Sequence, residues 1–252
     1  MNKGIILKTK EEINIMVEGG KRLAETKERL REKVNVGVSA YEIEALATYM
    51  IKKLNCEPSF KMVPDYEWST CVNVNEGIVH GIPKKEIIFK KGDLVSVDVG
   101  VYYRGFHTDT SFSKGIYLES ENQRFFAAGE KALKKAIQSA QLGNRIYDIS
   151  HAIETVIRKA GYSPIRALVG HGVGRELHED PQIPCFADAK MRPFSPRIEE
   201  GLVIAIEVMY SKGSGDVSLE SDGWTISSSD DTITALFEDT VAVTKKGTLV
   251  LT

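Results

Sequence analysis

The sequence predicts one α+β domain in which helices cover one side of a shared sheet. Two observations lead to this prediction. The chain has 252 residues, of which 42% are hydrophobic, and no change of composition marks a linker, so a single domain over residues 1–252 is expected. The predicted elements also occur twice in the same order, as helix, helix and then strands, in halves at about residues 9–115 and 118–245. Two such halves would join their strands into one sheet.

Capping motifs mark the two helices of the first half. A T-x-x-E box begins at Thr9 and an S-x-x-E box at Ser39, and the side chains of such boxes satisfy free amides of the first helical turn. Apolar residues at helical spacing follow each box. The pair Gly19-Gly20 lies inside the first helix. It indicates that another segment packs closely there, because glycine weakens a helix.

The second half repeats this arrangement. Ser120 and Gln123 predict the N-terminal cap of a third helix,. A fourth helix is expected from about residue 147 to residue 160, with Gly161 just after its end, where a left-handed residue commonly terminates a helix. Strand-like runs follow the helices of each half. These runs are residues 71–79, 94–101, 106–112, 165–169, 201–209 and 232–243.

The composition excludes several classes of protein. Lys plus Arg total 33 and Asp plus Glu total 35, a net charge of −2, so the charge favours neither nucleic acid nor an acidic membrane. No apolar stretch approaches the ~18 residues of a membrane helix, and the first residues do not resemble a signal peptide. Cys56, Cys71 and Cys185 make no disulfide framework and indicate a reducing compartment,. The sequence therefore predicts a soluble, cytoplasmic protein.

A predicted hairpin carries two aspartates. Valine alternates with other residues over 95–101, which indicates a strand, and a turn centred between Tyr103 and Arg104 would place Asp98 directly opposite Asp109,. Cross-strand partners have Cβ atoms ~4.5–5.5 Å apart, and two carboxylates that close repel unless a cation lies between them. Two divalent ions would fit. The alternative is a polar edge hairpin with two solvated aspartates.

Two histidines lie in a glycine-rich stretch, GHGVGRELHEDP. His171 and His178 are seven residues apart, too far for the helical H-x-x-x-H zinc pair, so different roles are expected for them. Glycines there let the backbone pass close to a site. The alternative is a glycine-rich turn with incidental histidines.

Carboxylates interrupt two later apolar strands. Glu207 lies within VIAIEVMY, and Glu238 and Asp239 lie within TALFEDTVAV. A buried, unpaired carboxylate is costly or remains protonated. One such acid could be a neutral core group, whereas two in neighbouring strands, added to two aspartates and a histidine, are better explained by metal.

The charges of this set balance two divalent ions. Asp98, Asp109, Glu207 and Glu238 together carry about four negative charges at neutral pH, and a neutral His171 adds none. Hard oxygen ligands with one imidazole favour Mn, Fe, Co or Zn in bridged pairs over a structural zinc site.

Together, these residues resemble the type I methionine aminopeptidases, which have the pita-bread (creatinase/aminopeptidase) fold. The family's order and spacing are kept over nearly the whole chain. The resemblance implies pseudo-twofold halves and a curved antiparallel sheet with two helix pairs on its outer face. The matching stretches are VNVNEGIVHGIP, SVDVGVYYRGFHTDTSF, GHGVGRELHEDP, EEGLVIAIEVMY, DGWT and FEDTVAVT.

The resemblance implies a role for each candidate residue. Asp109 and Glu238 would bridge two metal ions, with Asp98 on one ion and His171 and Glu207 on the other. His80 and His178 would contact the substrate amide and stabilise developing charge. The residues expected to line the pocket for the methionine side chain are Phe60, Tyr66, Cys71 and Trp224.

The implied reaction is hydrolysis of the first peptide bond of a chain that begins with methionine and has a small second residue. A metal-activated hydroxide would attack, and Glu207 would accept the proton. The implied substrates are nascent polypeptides. The enzyme itself is expected to be a monomer that contacts the ribosome transiently and binds neither nucleic acid nor membrane.

The sequence departs from the family pattern at three places. Val208 replaces the usual Pro, and Leu236 replaces a common Gln. The usual Gly-Tyr/Phe-Pro loop before Cys71 reads Asp65-Tyr66-Glu67, followed by Trp68, which would narrow the pocket. The 31 residues from Glu207 to Glu238 leave no room for the insertion of type II enzymes. Two alternatives remain: an Xaa-Pro aminopeptidase or prolidase, which shares these ligands, and a non-catalytic binding protein of the same fold, which would lack them.

Overall fold

The computed structural model describes residues 4–252, which form four α-helices, two short 3₁₀ helices and thirteen strands. The α-helices are α1 (Lys10–Lys33), α2 (Ala40–Lys53), α3 (Ser120–Ser139) and α4 (Ile146–Lys159), and the 3₁₀ helices are Phe60–Met62 and Ala189–Phe194. The strands are β1 (Glu57–Pro58), β2 (Thr70–Val74), β3 (Gly77–Val79), β4 (Leu94–Tyr103), β5 (Phe106–Gly115), β6 (Ser163–Pro164), β7 (Val169–Gly172), β8 (Glu179–Pro184), β9 (Val203–Ser211), β10 (Val217–Leu219), β11 (Ile226–Ser228), β12 (Thr234–Thr244) and β13 (Gly247–Val250).

The helix starts confirm the first two predicted caps and correct the third. Capping boxes begin α1 at Thr9 and α2 at Ser39, each with both reciprocal hydrogen bonds. Helix α3 begins with Ser120 as its first helical residue, because Glu119 is the N-cap, and no side-chain cap bond occurs there in the described chain. Helix α4 ends as expected before Gly161, which has φ +88°. No helix within residues 4–252 is both long and apolar enough to cross a membrane.

Two predicted strands are wrong in their bounds. The run 71–79 divides into β2 and β3, because the chain turns at Asn75, which has φ +53°. The run 165–169 is not one strand. The N–H of Ile165 donates to the carbonyl of Met209 at 2.9 Å, after which the chain leaves β9 and returns to it only at His171, opposite Ala205.

Ten strands form one antiparallel sheet that contains strands from both parts of the chain. Its main path runs β1-β4-β5-β12-β9-β7-β8, with β2 beside β4, β6 beside β9, and β13 beside β12. The central pair, β5 and β12, joins the N-terminal strands to the C-terminal ones. Strands β10, β11 and β3 form a separate small sheet.

The helices cover one face of the large sheet in two pairs. Helix α1 packs over β4 and β5, with α2 beside it over β1 and β2. Helix α3 packs over β9 and β12, with α4 beside it over β6 and β8. Val95, Val97 and Val99 belong to the core beneath the first pair. Because side chains alternate along a strand, Asp98 points to the opposite face, away from the helices.

Close packing at Gly20 explains the paired glycines in α1. A Cβ on Gly20 would lie 2.3 Å from the backbone oxygen of Leu251, whereas one on Gly19 would lie 3.2 Å from Cβ of Tyr103. The C-terminal segment therefore touches the helix backbone at Gly20, as the sequence predicted.

We expect Gly20→Ala to destabilise the protein although alanine favours helix. The gain in helix propensity is about 1 kcal/mol, while overpacking against a backbone carbonyl costs about 1–3 kcal/mol or more. Thermal melts of Gly20→Ala should show a lower Tm than wild type. Gly19→Ala, one residue away with a looser contact, is the matched control and should change Tm less. A raised Tm for Gly20→Ala would contradict the proposed contact.

Candidate active site

A row of polar side chains crosses four neighbouring strands on the face away from the helices. Asp98 on β4 pairs with Ser111 on β5, Ser111 pairs with Glu238 on β12, and Glu238 pairs with Glu207 on β9. Directly paired residues point to the same side of a sheet. Strand register alone therefore brings three acids from distant parts of the sequence into one line.

Asp109 and His171 lie one step from this row. Asp109 is two residues from Ser111 on β5, and His171 on β7 pairs with Ala205, two residues from Glu207 on β9. A separation of two keeps a side chain on the same face of its strand. Asp109, His171 and Glu238 each have one atom that could bind a metal, and these three atoms all lie within 4.8 Å of one another.

The predicted hairpin register is wrong by two residues. Tyr103 pairs with Phe106, so the turn consists of Arg104 and Gly105, with φ of +49° and +94°. Positive φ at both central residues is the geometry that favours a two-residue hairpin. As a result, Asp98 lies opposite Ser111 and not opposite Asp109. The two aspartates remain diagonal neighbours on the same face.

Gly100 is the actual partner of Asp109, and its lack of a side chain makes room for the acid. A Cβ at residue 100 would lie 3.0 Å from the Phe60 ring and from Cβ of Ser59, and 3.2 Å from Oδ1 of Asp109. Even a methyl group would therefore press on both the carboxyl and the aromatic ring. Glycine lets the aspartate and Phe60 share this space.

Hydroxyl groups join the two strands that carry the central acids. The Thr240 hydroxyl accepts from the N–H of Asp109 at 3.0 Å and donates to its carbonyl at 2.7 Å. The Thr110 hydroxyl donates to the carbonyl of Glu238 at 2.8 Å. These bonds fix the backbone of both acids from the neighbouring strand.

The environment of His171 leaves one ring nitrogen free as a ligand. Nδ1 lies 2.8 Å from the carbonyl oxygen of Gly172, and because a carbonyl only accepts, Nδ1 carries the proton. Nε2 is then unprotonated and lies 3.4 Å from Oε1 of Glu207. A backbone carbonyl that holds the remote N–H is the usual support of a metal-bound histidine.

Burial shifts the pKa of every ionisable group in this cluster towards its neutral form. Burial raises the pKa of Asp109 to about 7 and lowers that of His171 to about 3. It raises the pKa values of Asp98, Glu207 and Glu238 well above their ordinary range, and the negative charge of Asp109 adds to each increase. Such an array is strained when ionised and relaxes when cations balance it.

Unpaired oxygens show that the cluster fits divalent cations. Oδ1 of Asp98 and Oε1 of Glu238 are buried and have no hydrogen-bond partner among residues 4–252. Buried polar atoms are normally satisfied. With the free Nε2 of His171, these oxygens are the O- and N-donor set that Mn, Fe, Co and Zn accept.

A small cavity of about 240 Å³ opens beside the acids, and we call it the inner cavity. The Tyr66 ring packs edge-on against Trp224 at 5.0 Å, and its hydroxyl donates to Sγ of Cys71 at 3.1 Å. Besides the five acid and histidine residues of the cluster, the residues that line the cavity are Phe60, Val63, Tyr66, Cys71, Val79, His80, Leu177, His178 and Trp224.

Three residues at the departures from the family pattern, Trp68, Val208 and Leu236, lie outside this lining. Trp68 packs on the far side of Tyr66, with ring centroids 5.3 Å apart, and among residues 4–252 it does not line the inner cavity. Val208 and Leu236 are both fully buried in one hydrophobic cluster. The expected narrowing by Trp68 is therefore not observed.

His80 and His178 stand where the inner cavity meets a second cavity. This outer cavity has a volume of about 560 Å³. The residues that line both cavities are Val79, His80, His171, His178 and Glu207. The rings of His171 and His178 pack edge-to-face, with centroids 4.5 Å apart. His80 has φ +58°, an uncommon conformation that tends to occur at functional sites.

Sequence reasoning missed several residues of the site. Leu177 adjoins His178 and lines the inner cavity, although only its position beside a candidate residue could have indicated this. His107 is buried two residues before Asp109, with Nδ1 2.9 Å from the Ser59 hydroxyl. The alternation along β5 could have placed it on the same face as Asp109.

Comparison with known proteins defines the class. Residues 14–245 match the model of metallopeptidase family M24, and the chain belongs to this family. Methionine aminopeptidase 1 of Bacillus subtilis is 39% identical, with 98% of this chain and 99% of that protein covered. A methionine aminopeptidase of Clostridium perfringens is 38% identical, with 98% of each chain covered. The resemblance predicted from the motifs is confirmed.

Solved structures confirm the pita-bread fold. The crystal structure of methionine aminopeptidase from Thermotoga maritima has a TM-score of 0.95 and 38% identity, with 98% of this chain and 99% of that chain covered. A prolidase from Pyrococcus furiosus has a TM-score of 0.77 and 24% identity, with 98% of this chain but 65% of that chain covered. The second likeness shows the fold alone.

The pKa of Asp109 predicts how the stability of metal-free protein depends on pH. The group titrates at about 7 when folded, against an ordinary value of 3.8, so the folded state binds the additional proton between these values. The stability from this group is present below about pH 4 and is lost as the pH rises through about 7. Buried His171 contributes with the opposite sign below its ordinary pKa.

Asp109→Asn isolates this contribution, because the histidines are common to both proteins. With a chelator present, we expect the variant to gain stability relative to wild type as the pH rises from 5 to 8. Denaturant midpoints of both proteins at the two pH values measure the effect. A stability difference that stays constant over this range would contradict the assigned burial.

Proposed function

We propose that this chain is a methionine aminopeptidase that removes an N-terminal methionine when the second residue is small. The observation that carries the proposal is that the cluster of acids and His171 directly adjoins the inner cavity. This cavity is small and has aromatic and thiol walls. The near full-length similarity to methionine aminopeptidases supports the same function.

Five residues are the proposed ligands of two divalent ions, with Mn, Fe, Co and Zn as candidates. When bound, such ions lower the pKa of a water towards neutrality and polarise a carbonyl. Asp109 and Glu238 are the proposed shared ligands, because these two residues are the most buried of the four acids. The full proposed set is Asp98, Asp109, His171, Glu207 and Glu238.

The remaining chemistry belongs to side chains at the junction of the two cavities. Glu207 is the proposed acceptor of the proton that the attacking water loses, since it borders both cavities. The imidazoles of His80 and His178 would donate to the reacting amide and stabilise the charge that develops on it. Their rings also border the passage between the cavities, which favours a small second residue in the substrate.

The inner cavity is the proposed site for the methionine side chain. Phe60, Tyr66, Cys71 and Trp224 supply soft, polarizable walls, which suit a thioether. Burial of the side chain there would contribute roughly 1.5–3 kcal/mol. We propose N-terminal methionine of nascent polypeptides as the substrate and a monomer as the active form, while the ribosome contact remains a prediction.

A second candidate function is the Xaa-Pro peptidase activity, because the prolidase structure has the same fold. The aromatic and thiol walls of the inner cavity favour methionine aminopeptidase activity, because they can bury the side chain of the first residue. They provide no particular fit for a proline in the second position. A direct comparison of substrates separates the two.

Histidine variants test the proposed division between ligands and amide contacts. After dialysis against a chelator and reloading with Mn, His80→Ala and His178→Ala should retain metal and lose roughly 10²–10³-fold in kcat, because each lacks a donor to the amide. His171→Ala should bind less metal. Metal analysis with kcat on Met-Ala-Ser measures both properties. Equal metal loss in all three variants would show that the roles are misassigned, and activity without metal would refute the metal centre.

Substrate preference tests the reaction itself. Met-Ala-Ser should have a far higher kcat/KM than Ala-Ala-Ser, because alanine cannot fill the inner cavity. Norleucine in first place should be cleaved more slowly, since small changes in an apolar side chain cost only ~1–3 kcal/mol. Met-Lys-Ser should resist cleavage because of its large second residue. A preference for Ala-Pro-Ala over Met-Ala-Ser would favour the Xaa-Pro activity instead.

A further inference from the structure

A buried ion pair ties the start of the chain to the site. Nζ of Lys8 lies 2.5 Å from Oε2 of Glu179, and the two side chains are only 2% and 3% exposed. Lys8 lies in the N-terminal arm, residues 4–9, and also donates to the carbonyl of Ile6 at 2.9 Å. Its backbone N–H donates to the carbonyl of Gly201 at 2.7 Å. The arm is therefore fixed at both its backbone and its charged end.

Glu179 holds the segment that presents His178. Its second oxygen, Oε1, accepts from the N–H of Glu176 at 3.3 Å. Because Glu179 directly follows His178 in the chain, this bond closes a turn from Glu176 to Glu179 that contains His178. We call residues 173–178 the His178 loop. The loop also passes against the ion pair itself, because a Cβ on Gly174 would lie 2.4 Å from Cε of Lys8.

The ring of His178 depends on this loop for its position. Among residues 4–252, no side-chain hydrogen bond to the His178 ring occurs, and its close neighbour is the ring of His171. The backbone therefore sets where the ring stands. The same arm reaches the cleft, because Gly4 and Ile6 line the outer cavity together with His178 and Glu179.

We propose that Lys8 is a positioning residue that sets His178 for the reaction by acting through Glu179. The inference rests on the proposed methionine aminopeptidase function. Loss of the lysine charge would leave Glu179 buried without its partner, and such a carboxylate moves towards water or becomes protonated. Either change alters the His178 loop and displaces the imidazole from the amide.

A purely structural ion pair would have a different effect. It would lower the stability of the protein and leave the turnover of the folded molecules unchanged. Positioning predicts a loss in kcat that depends on the presence of His178. A double-mutant cycle between residues 8 and 178 separates these two roles, because residues that act as one unit have strongly non-additive effects.

The cycle uses the metal-loaded, full-length protein and Met-Ala-Ser. We expect Lys8→Met to lower kcat roughly 10- to 100-fold, the range for a displaced reacting group, with KM and metal content close to wild type. In the His178→Ala background, Lys8→Met should lower kcat by less than about twofold, because the imidazole that Lys8 positions is then absent. Glu179→Gln keeps the shape of the side chain and removes its charge. It should lower kcat by a smaller factor than Lys8→Met, again only when His178 is present. This variant replaces Lys8→Met in the cycle if Lys8→Met does not fold.

Two controls complete the test. Arg29→Gln breaks an exposed ion pair with Glu32 inside α1, outside the His178 loop, and it should leave kcat unchanged. Ile153→Ala in α4, on the far side of the sheet, should lower Tm without changing kcat.

Three results would overturn the inference alone. These are an unchanged kcat in Lys8→Met with a lowered Tm, an equal fold-loss with and without His178, and a loss of metal in Lys8→Met. A wild type that fails to cleave Met-Ala-Ser would overturn the proposed function and this inference together, so the two failures are distinguishable.

Discussion

Four carboxyl groups packed beneath one cavity are the constraint on which the rest of this structure depends. Left ionised, Asp98, Asp109, Glu207 and Glu238 would repel one another in a site that also removes them from water. Their raised pKa values express this cost. A fold that keeps them together must be rigid, and cations would balance the charge of the ionised groups.

Rigidity comes from the way that the two central strands are joined. The register between β5 and β12 contains only the pairs Glu238 with Ser111 and Asp239 with Thr110. Side-chain hydroxyls of Thr110, Ser113 and Thr240 supply further bonds across this seam. On the helix side, Nζ of Lys27 lies 2.7 Å from Oδ1 of Asp239, the residue next to Glu238. The seam is thus held from both faces while the acids remain free to bind ions.

The sequence predicted those parts of the structure that local patterns control. Capping boxes gave the starts of α1 and α2, and a charged residue inside an apolar strand identified Glu207 and Glu238. The predicted hairpin register was wrong because a shift of the turn by one residue moves every cross-strand pair by two. Gly105, which has a positive φ, is the second central residue of the observed turn. The hydroxyl seam and the pair of Lys8 with Glu179 join residues more than 120 positions apart, and no local pattern records such contacts.

The arrangement of the two cavities explains why a site of this kind acts on chain ends. The inner cavity is small and walled by Phe60, Tyr66 and Trp224, so its volume suits one side chain. The outer cavity is larger and is bordered by Ile6 of the N-terminal arm. With the proposed function, a substrate that has its first side chain in the inner cavity would extend past His80 and His178, which line both cavities. The bond at this junction would then be the first peptide bond of the substrate, and it would lie beside the acids.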